Sequence, residues 1–527
     1  MSIEIIVSSL IAASVVSGAL LDAEGSRESR RLLSRSCRWR RLGNWMPLGI
    51  AYAAFYMARY NIAAGNVDSI RLQLGMTATD MGWYDFCASV LVLVDTRVIS
   101  SGSWAYALSA PFTGNLTDRI GGRRGIVLAC VGAGLCNLVM GLAFSFGTFS
   151  QSEFMFFFAL NQAFQGFGTA GVVKVNAMWY APSERGLFSG IFNMLVVSGY
   201  YLALGSGDSI VAALGWPYLF YIPSLMLFAM SLLVLLWVQN APVSLHPSPP
   251  ASVVVHESNA PSALGRLLRN KSVWGYLGAI FWLSWSRDGL LNWMYSYFDA
   301  VRTIPLTAGD HALLGGAWTL GGFVGGVLCG WISDAIFLGQ RMPPIVLFSV
   351  MQGIVVSAMY FWAPSVSVPV LALLLWIASV FLLGSYTLLS YTIPTDLPVE
   401  IAASAGGLFT TAAYVATGLS GAAMGAIVQR WGYAVWVTSL VLASLASGVC
   451  TFAGTHLAAR DAIFESEMVP LQGGAKDFTS ASASRSRRAS LVNTQSDFFA
   501  VAIDDDDAAM DENGAMPYAT SKLRQAS

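Results

Sequence analysis

The chain has 527 residues, 55% of them hydrophobic and only 11% charged, with a formal net charge of -1 and a mean hydropathy of +0.59. That leaves too little polar surface for a soluble protein of this size and describes an all-α polytopic membrane protein lying in a lipid bilayer. Nucleic-acid binding has no support, and the six cysteines give neither a disulfide framework nor a metal-ligand spacing. No metal or cofactor is expected.

Residues 3 to 21 are apolar apart from Glu4 and are followed by Arg27, Arg30, Arg31, Arg35, Arg38, Arg40 and Arg41 among serines. A signal peptide, an extra helix and an organelle-targeting leader all remain open for residues 1–44. From 45 onward apolar runs of spanning length recur six times up to 239, and six more times from 272 to 456. A polar stretch at 240–271 separates the two sets, so the sequence predicts twelve transmembrane helices in two pseudo-symmetric halves joined by a cytoplasmic linker. Arg119, Arg123, Arg124, Arg185, Arg266, Arg269, Lys271 and Arg341 then fall in inner loops, and Arg71, Arg302 and Arg430 in outer ones. This asymmetry obeys the positive-inside rule and weighs against a retained helix before Arg27. Which membrane houses the protein is left open.

The stretch from Asp80 to Gly114 is longer than the roughly 20 residues one crossing needs. Its surplus, around 90–103, includes Asp95 and Arg97, and reads as an insertion or an error in the gene product. Residues 457–527, Ser-rich and then acidic, read as a disordered cytoplasmic tail.

In the first expected span, Tyr52, Tyr56 and Arg59 follow an i, i+4, i+7 spacing and so share one helix face. An Arg at the bilayer centre costs about 3 kcal/mol, so it faces a bundle interior or a watery cavity. A carboxylate on a neighbouring helix is the competing explanation, but Arg287 recurs at the same depth in the second half. Between the second and third spans lies Gly114-Asn-Leu-Thr-Asp118-Arg119-Ile-Gly121-Gly-Arg123-Arg124, and the second half repeats the idea from Gly330 through Asp334 to Arg341. Glycines permit a tight turn and close helix approach, and Asp118 can act as an anion at a neighbouring helix terminus.

This loop resembles the signature loop of the major facilitator superfamily, which implies that fold and a gating role for Gly114, Asp118, Arg119, Gly121, Arg123, Arg124, Asp334 and Arg341. Residues 53–61, 287–293, 328–341 and 402–408, with Gln165-Gly-Phe-Gly and Glu184-Arg-Gly, resemble more narrowly the organophosphate:phosphate antiporters. These include glycerol-3-phosphate and hexose-phosphate transporters and the eukaryotic sugar-phosphate exchangers. The resemblance implies that Arg59 and Arg287 clamp the substrate phosphate, and that Tyr52, Tyr56, Tyr386 and Tyr414 line the cavity. Guanidinium forks suit phosphate bidentately, and two unpaired ones would repel each other in an empty site, which favours exchange. Lys174 is a further candidate for attracting anions, or else a snorkelling side chain.

The chain departs from the glycerol-phosphate pattern at Tyr60, Asn292 and Met178, where that type has Lys, Asp and His. Tyr60 and Asn292 are expected to form a neutral bridge between the halves. Asp288 is an added carboxylate which, as the helical neighbour of Arg287, does not share its face and need not cancel it. The expected activity is antiport of an organic phosphate against inorganic phosphate by a monomer. The alternatives are a carrier of another small anion, proton-coupled through Asp288, and a non-transporting sensor. No constellation of nucleophile, base and orienter supports an enzyme.

Overall fold

A computed structural model describes residues 3–25, 30, 33–61, 98–147, 150–242, 263–304 and 306–468. The regular secondary structure of the described residues is all helical, with no strand among them. The long helices are α1 (Ile3–Glu24), α2 (Arg35–Tyr60), α3 (Val98–Ile120), α4 (Gly122–Phe146), α5 (Gln151–Trp179), α6 (Arg185–Leu214), α7 (Tyr218–Trp237), α8 (Lys271–Val301), α9 (Ala308–Trp331), α10 (Met342–Trp362), α11 (Val368–Thr387) and α12 (Ala402–Met468). Gly432, at φ 75°, breaks α12 into two arms, because only glycine takes that backbone region cheaply. Counting the arms separately, α2 to α7 supply six helices and α8 to α12 another six.

The starts of several helices are written locally. Ser150 with Glu153 and Thr307 with Asp310 form reciprocal capping boxes, which satisfy otherwise orphaned N–H groups at the starts of α5 and α9. Each half has its own core: Trp45, Phe55 and Phe192 in the first, Tyr297, Phe348 and Trp436 in the second. Seven of the described helices are long and apolar enough to cross a membrane by length and composition. Helices α2, α5 and α8 fall outside that set because they carry inward-facing polar groups, among them Arg59, Gln165 and Asp288.

Lipid provides no hydrophobic drive between helices, so close approach depends on small residues. The halves meet along two such seams. At one, Gly186 and Gly190 of α6 face Gly326 and Gly330 of α9; a Cβ on Gly186 would lie 2.9 Å from the Gly330 carbonyl oxygen. At the other, Gly114 of α3 packs on α12, where a Cβ would lie 2.6 Å from the Ala403 carbonyl oxygen, and Gly407 packs on Ala110.

Several boundaries differ from expectation. The first core helix starts at Arg35, not at 45, so Arg41 and Asn44 of the expected leader are buried helical residues. Residues 3–24 form a helix, α1, packed on the core. Its Ile11 packs with Met194 of α6 and Phe323 of α9, across the first seam. Its buried Asp22 accepts hydrogen bonds from Trp45 Nε1 at 2.8 Å and Tyr180 Oη at 3.1 Å. Arg41 joins Asp22 at 3.3 Å and Glu184 at 2.8 Å. Arg41 is thus a buried, paired side chain, which carries no orientation signal. Of the expected surplus at 90–103, residues from Val98 onward belong to α3 and 90–97 lie outside the described residues. The linker contains the short helix Ala263–Arg269, while 243–262 lie outside the description. Helix α12 runs past the expected tail boundary at 457 to Met468, and the remainder of the tail lies outside it.

Candidate functional site

Arg59 and Arg287 come from α2 and α8, the first core helices of the two halves, and both sit beside one cavity. Arg59 is 5% exposed. Its Nε and Nη2 donate to Gln165 Oε1 at 3.0 and 2.8 Å, and its Nη1 donates to the Tyr414 hydroxyl across the halves. The rings of Tyr106, Tyr56 and Tyr414 stand 4.5, 5.1 and 5.5 Å from the guanidinium carbon, close enough for cation–π attraction. Among the described residues no carboxylate pairs with Arg59. Dipoles and ring faces carry its charge.

Arg287 is held differently. Its Nε and Nη2 reach Asp288 Oδ1 and Oδ2, both at 2.8 Å, and its guanidinium carbon lies 4.3 Å from the Tyr386 ring centre. The Thr417 hydroxyl donates to Asp288 Oδ2. Asp288 therefore does cancel Arg287. Neighbouring helical positions point apart at Cβ, but the long Arg stem curls back far enough to place its fork on the next carboxylate.

A small cavity is lined by Tyr52, Tyr56, Tyr106, Tyr386, Tyr391 and Tyr414, with Thr169, Ser390 and Thr410; neither arginine lines it. The two guanidinium groups adjoin it through the rings stacked on them. Tyr52 and Tyr106 both hydrogen-bond Thr169, at 2.8 and 2.6 Å. Its walls carry hydroxyl donors and acceptors, with the two cations behind the lining rings.

Other sequence-selected residues are placed elsewhere. Tyr60 stacks near Tyr56, 5.6 Å between centroids. Asn292 is exposed and makes no side-chain hydrogen bond among the described residues, so the neutral bridge to Tyr60 is not formed. The effects of Tyr60→Lys and Asn292→Asp on thermal stability are accordingly expected to add within about 0.5 kcal/mol. A double variant markedly more stable than the sum of the singles would restore the bridge.

Lys174 is not at the cavity. Its Nζ bonds Asp118 Oδ1 at 2.8 Å and the Val399 carbonyl, at the end of the bundle carrying the Arg-rich loops. There Asp118 also accepts from the backbone N–H of Ala403 and Ser404, at 3.1 and 2.7 Å, so it sits on the N-terminus of α12. The second half mirrors this arrangement. Asp334 accepts from Leu187 N at 2.7 Å, on the N-terminus of α6, and pairs with Arg341. Arg341 reaches Asp396 at 2.8 Å, which Arg185 joins at 3.3 Å. Gly121, at φ 90°, turns the loop, and the Arg123 backbone donates to Asn240 at 2.8 Å. Arg119 and Arg124 are exposed. Together these bonds tie the two halves to each other at that end of the bundle.

Sequence reasoning did not select Gln165, Tyr106, Tyr391 or Thr417 as site residues. Gln165 had a signal, a polar side chain in an apolar span, whereas single aromatics and threonines look like ordinary core residues.

The family model described as "Major Facilitator Superfamily" matches residues 48–421. The glycerol-3-phosphate transporter of Bacillus subtilis is 25% identical over 425 residues, covering 76% of this chain and 90% of the relative. The membrane sensor protein UhpC of Salmonella typhimurium is 23% identical over 420 residues, covering 77% and 88%. Among solved structures, the proton:xylose symporter XylE bound to 6-bromo-6-deoxy-D-glucose superposes with a TM-score of 0.57 at 13% identity, covering 80% of this chain and 96% of that one.

Proposed function

Because the chain belongs to the major facilitator superfamily, and is thus a multi-pass membrane carrier and not an enzyme, we propose that it exchanges an organic phosphate for inorganic phosphate. The organic phosphate is of the glycerol-3-phosphate or sugar-phosphate class. One observation carries the reading: each half contributes one arginine to the margin of a tyrosine-lined cavity between the halves. A phosphate bridging the two would exchange the bonds to Tyr414 and Asp288 for charge-assisted bidentate ones. Closing the halves over the substrate on the far side would break the seam at the loop end, where Asp118 and Asp334 release the helix termini they hold. Relatives that carry glycerol-3-phosphate by name support the class of substrate.

The test is trans-stimulation in proteoliposomes. Vesicles loaded with glycerol 3-phosphate or a hexose phosphate are expected to accumulate labelled inorganic phosphate faster than empty ones, by about tenfold or more. No stimulation by any member of such a panel would overturn the proposal. The sensor relative favours a second reading, a receptor that binds an organic phosphate without moving it. Saturable binding with no flux would select that one.

A further inference from the structure

We infer that this carrier also returns empty across the membrane, so that it performs net transport as well as exchange, with Asp288 standing in for the substrate anion on Arg287. The inference rests on the phosphate reading above. Two bare guanidinium groups in one water-poor site repel each other, and this repulsion is greatest when the site is sealed from both sides. A carrier with such a site is penalised whenever it reorients unloaded, which enforces exchange.

Here the penalty is removed by side chains that belong to the chain itself. Asp288 occupies both donors of the Arg287 fork at 2.8 Å, with side chains 9% and 17% exposed, and Thr417 secures the carboxylate from the first arm of α12. All three residues lie in the second half. Rocking of one half against the other therefore leaves the trio intact, and Arg287 stays neutralised in every orientation. Arg59 keeps its charge, but Gln165 and the rings of Tyr106 and Tyr56 lie in its own half and travel with it. Among the described partners of Arg59, only Tyr414 belongs to the other half. The empty site thus holds one compensated cation and one held by side-chain dipoles and ring faces instead of two bare ones. An arriving phosphate displaces the Asp288 carboxylate from the fork, and Thr417 retains it.

Vesicles containing the full chain and loaded with labelled inorganic phosphate would be diluted into buffer with or without unlabelled phosphate. Potassium and valinomycin hold the membrane potential at zero. The wild-type protein is expected to release label into phosphate-free buffer at a rate within about tenfold of the exchange rate. Exchange without net release above protein-free vesicles would overturn the inference and leave the phosphate reading standing. Absence of both fluxes would remove the two together. The ratio of net release to exchange is expected to fall at least about tenfold in Asp288→Asn, where two cations face the empty cavity. Asp288→Glu, which keeps the charge, should recover much of the ratio. An unchanged ratio in Asp288→Asn would assign the empty return to something other than this carboxylate and contradict the inference.

Discussion

Lysine in place of Arg59 or of Arg287 is expected to lower phosphate exchange at least about a hundredfold while leaving the folded protein in the membrane. Arg59 uses Nε and Nη2 on Gln165 and Nη1 on Tyr414. A lysine ammonium keeps the charge but reaches such partners from a single point, and cannot offer a phosphate two parallel donors. Hydrogen bonds to charged groups contribute about 1.5–3 kcal/mol each. Losing two of them at the phosphate therefore corresponds to a factor on the order of 10² or more. Arg287→Lys retains a cation for Asp288, so folding is even less affected there. Exchange rate, normalised to protein in the membrane and to thermal stability, checks both. Near-normal exchange in either variant would sink that residue's place in the clamp.

Valine at Gly407 or Gly190 is expected to prevent closure at the loop end. A Cβ at Gly407 meets the Ala110 carbonyl, and one at Gly190 meets the backbone of Gly326. Side chains there have no room to yield, because the obstacle is main chain on the opposite half. Overpacking costs about 1–3 kcal/mol where neighbours can adjust, so the closed arrangement loses at least about tenfold in population. Exchange falls because one end can no longer seal. The reporter is a cysteine at Ser404, buried in the second seam, placed in a background without native cysteines. Its labelling by an impermeant maleimide should rise in the valine variants. Unaltered labelling and exchange would show that the seams do not gate.

The sequence made these two features legible for different reasons. Arg59 and Arg287 stand out because an apolar span tolerates a guanidinium only at a cost, and Asp118 and Asp334 because they recur within matching glycine-containing loops. What escaped was anything set by side-chain reach or by distant partners. The Arg287–Asp288 pair depends on a long stem folding back, which helix periodicity does not describe. Asn292 lies five positions beyond Arg287 but is exposed and makes no side-chain hydrogen bond among the described residues. The docking of α1 hinges on Asp22 meeting Arg41, Trp45 and Tyr180; in the sequence this is one acid at the end of an apolar stretch and one Arg within a basic block. Tyr106 and Tyr391 line the cavity in the same kind of setting that buries Tyr297 in a core.

The central claim is that one phosphate group is held by both halves at once through Arg59 and Arg287. An experimental structure of the full chain, with inorganic phosphate or an organic phosphate bound, tests it most directly. The account predicts density for the phosphoryl group within hydrogen-bond distance of both guanidinium groups, with Asp288 moved off the Arg287 fork and still bonded to Thr417. A phosphoryl group elsewhere in the bundle, or touching neither arginine while the Arg287–Asp288 pair stays closed, would contradict it.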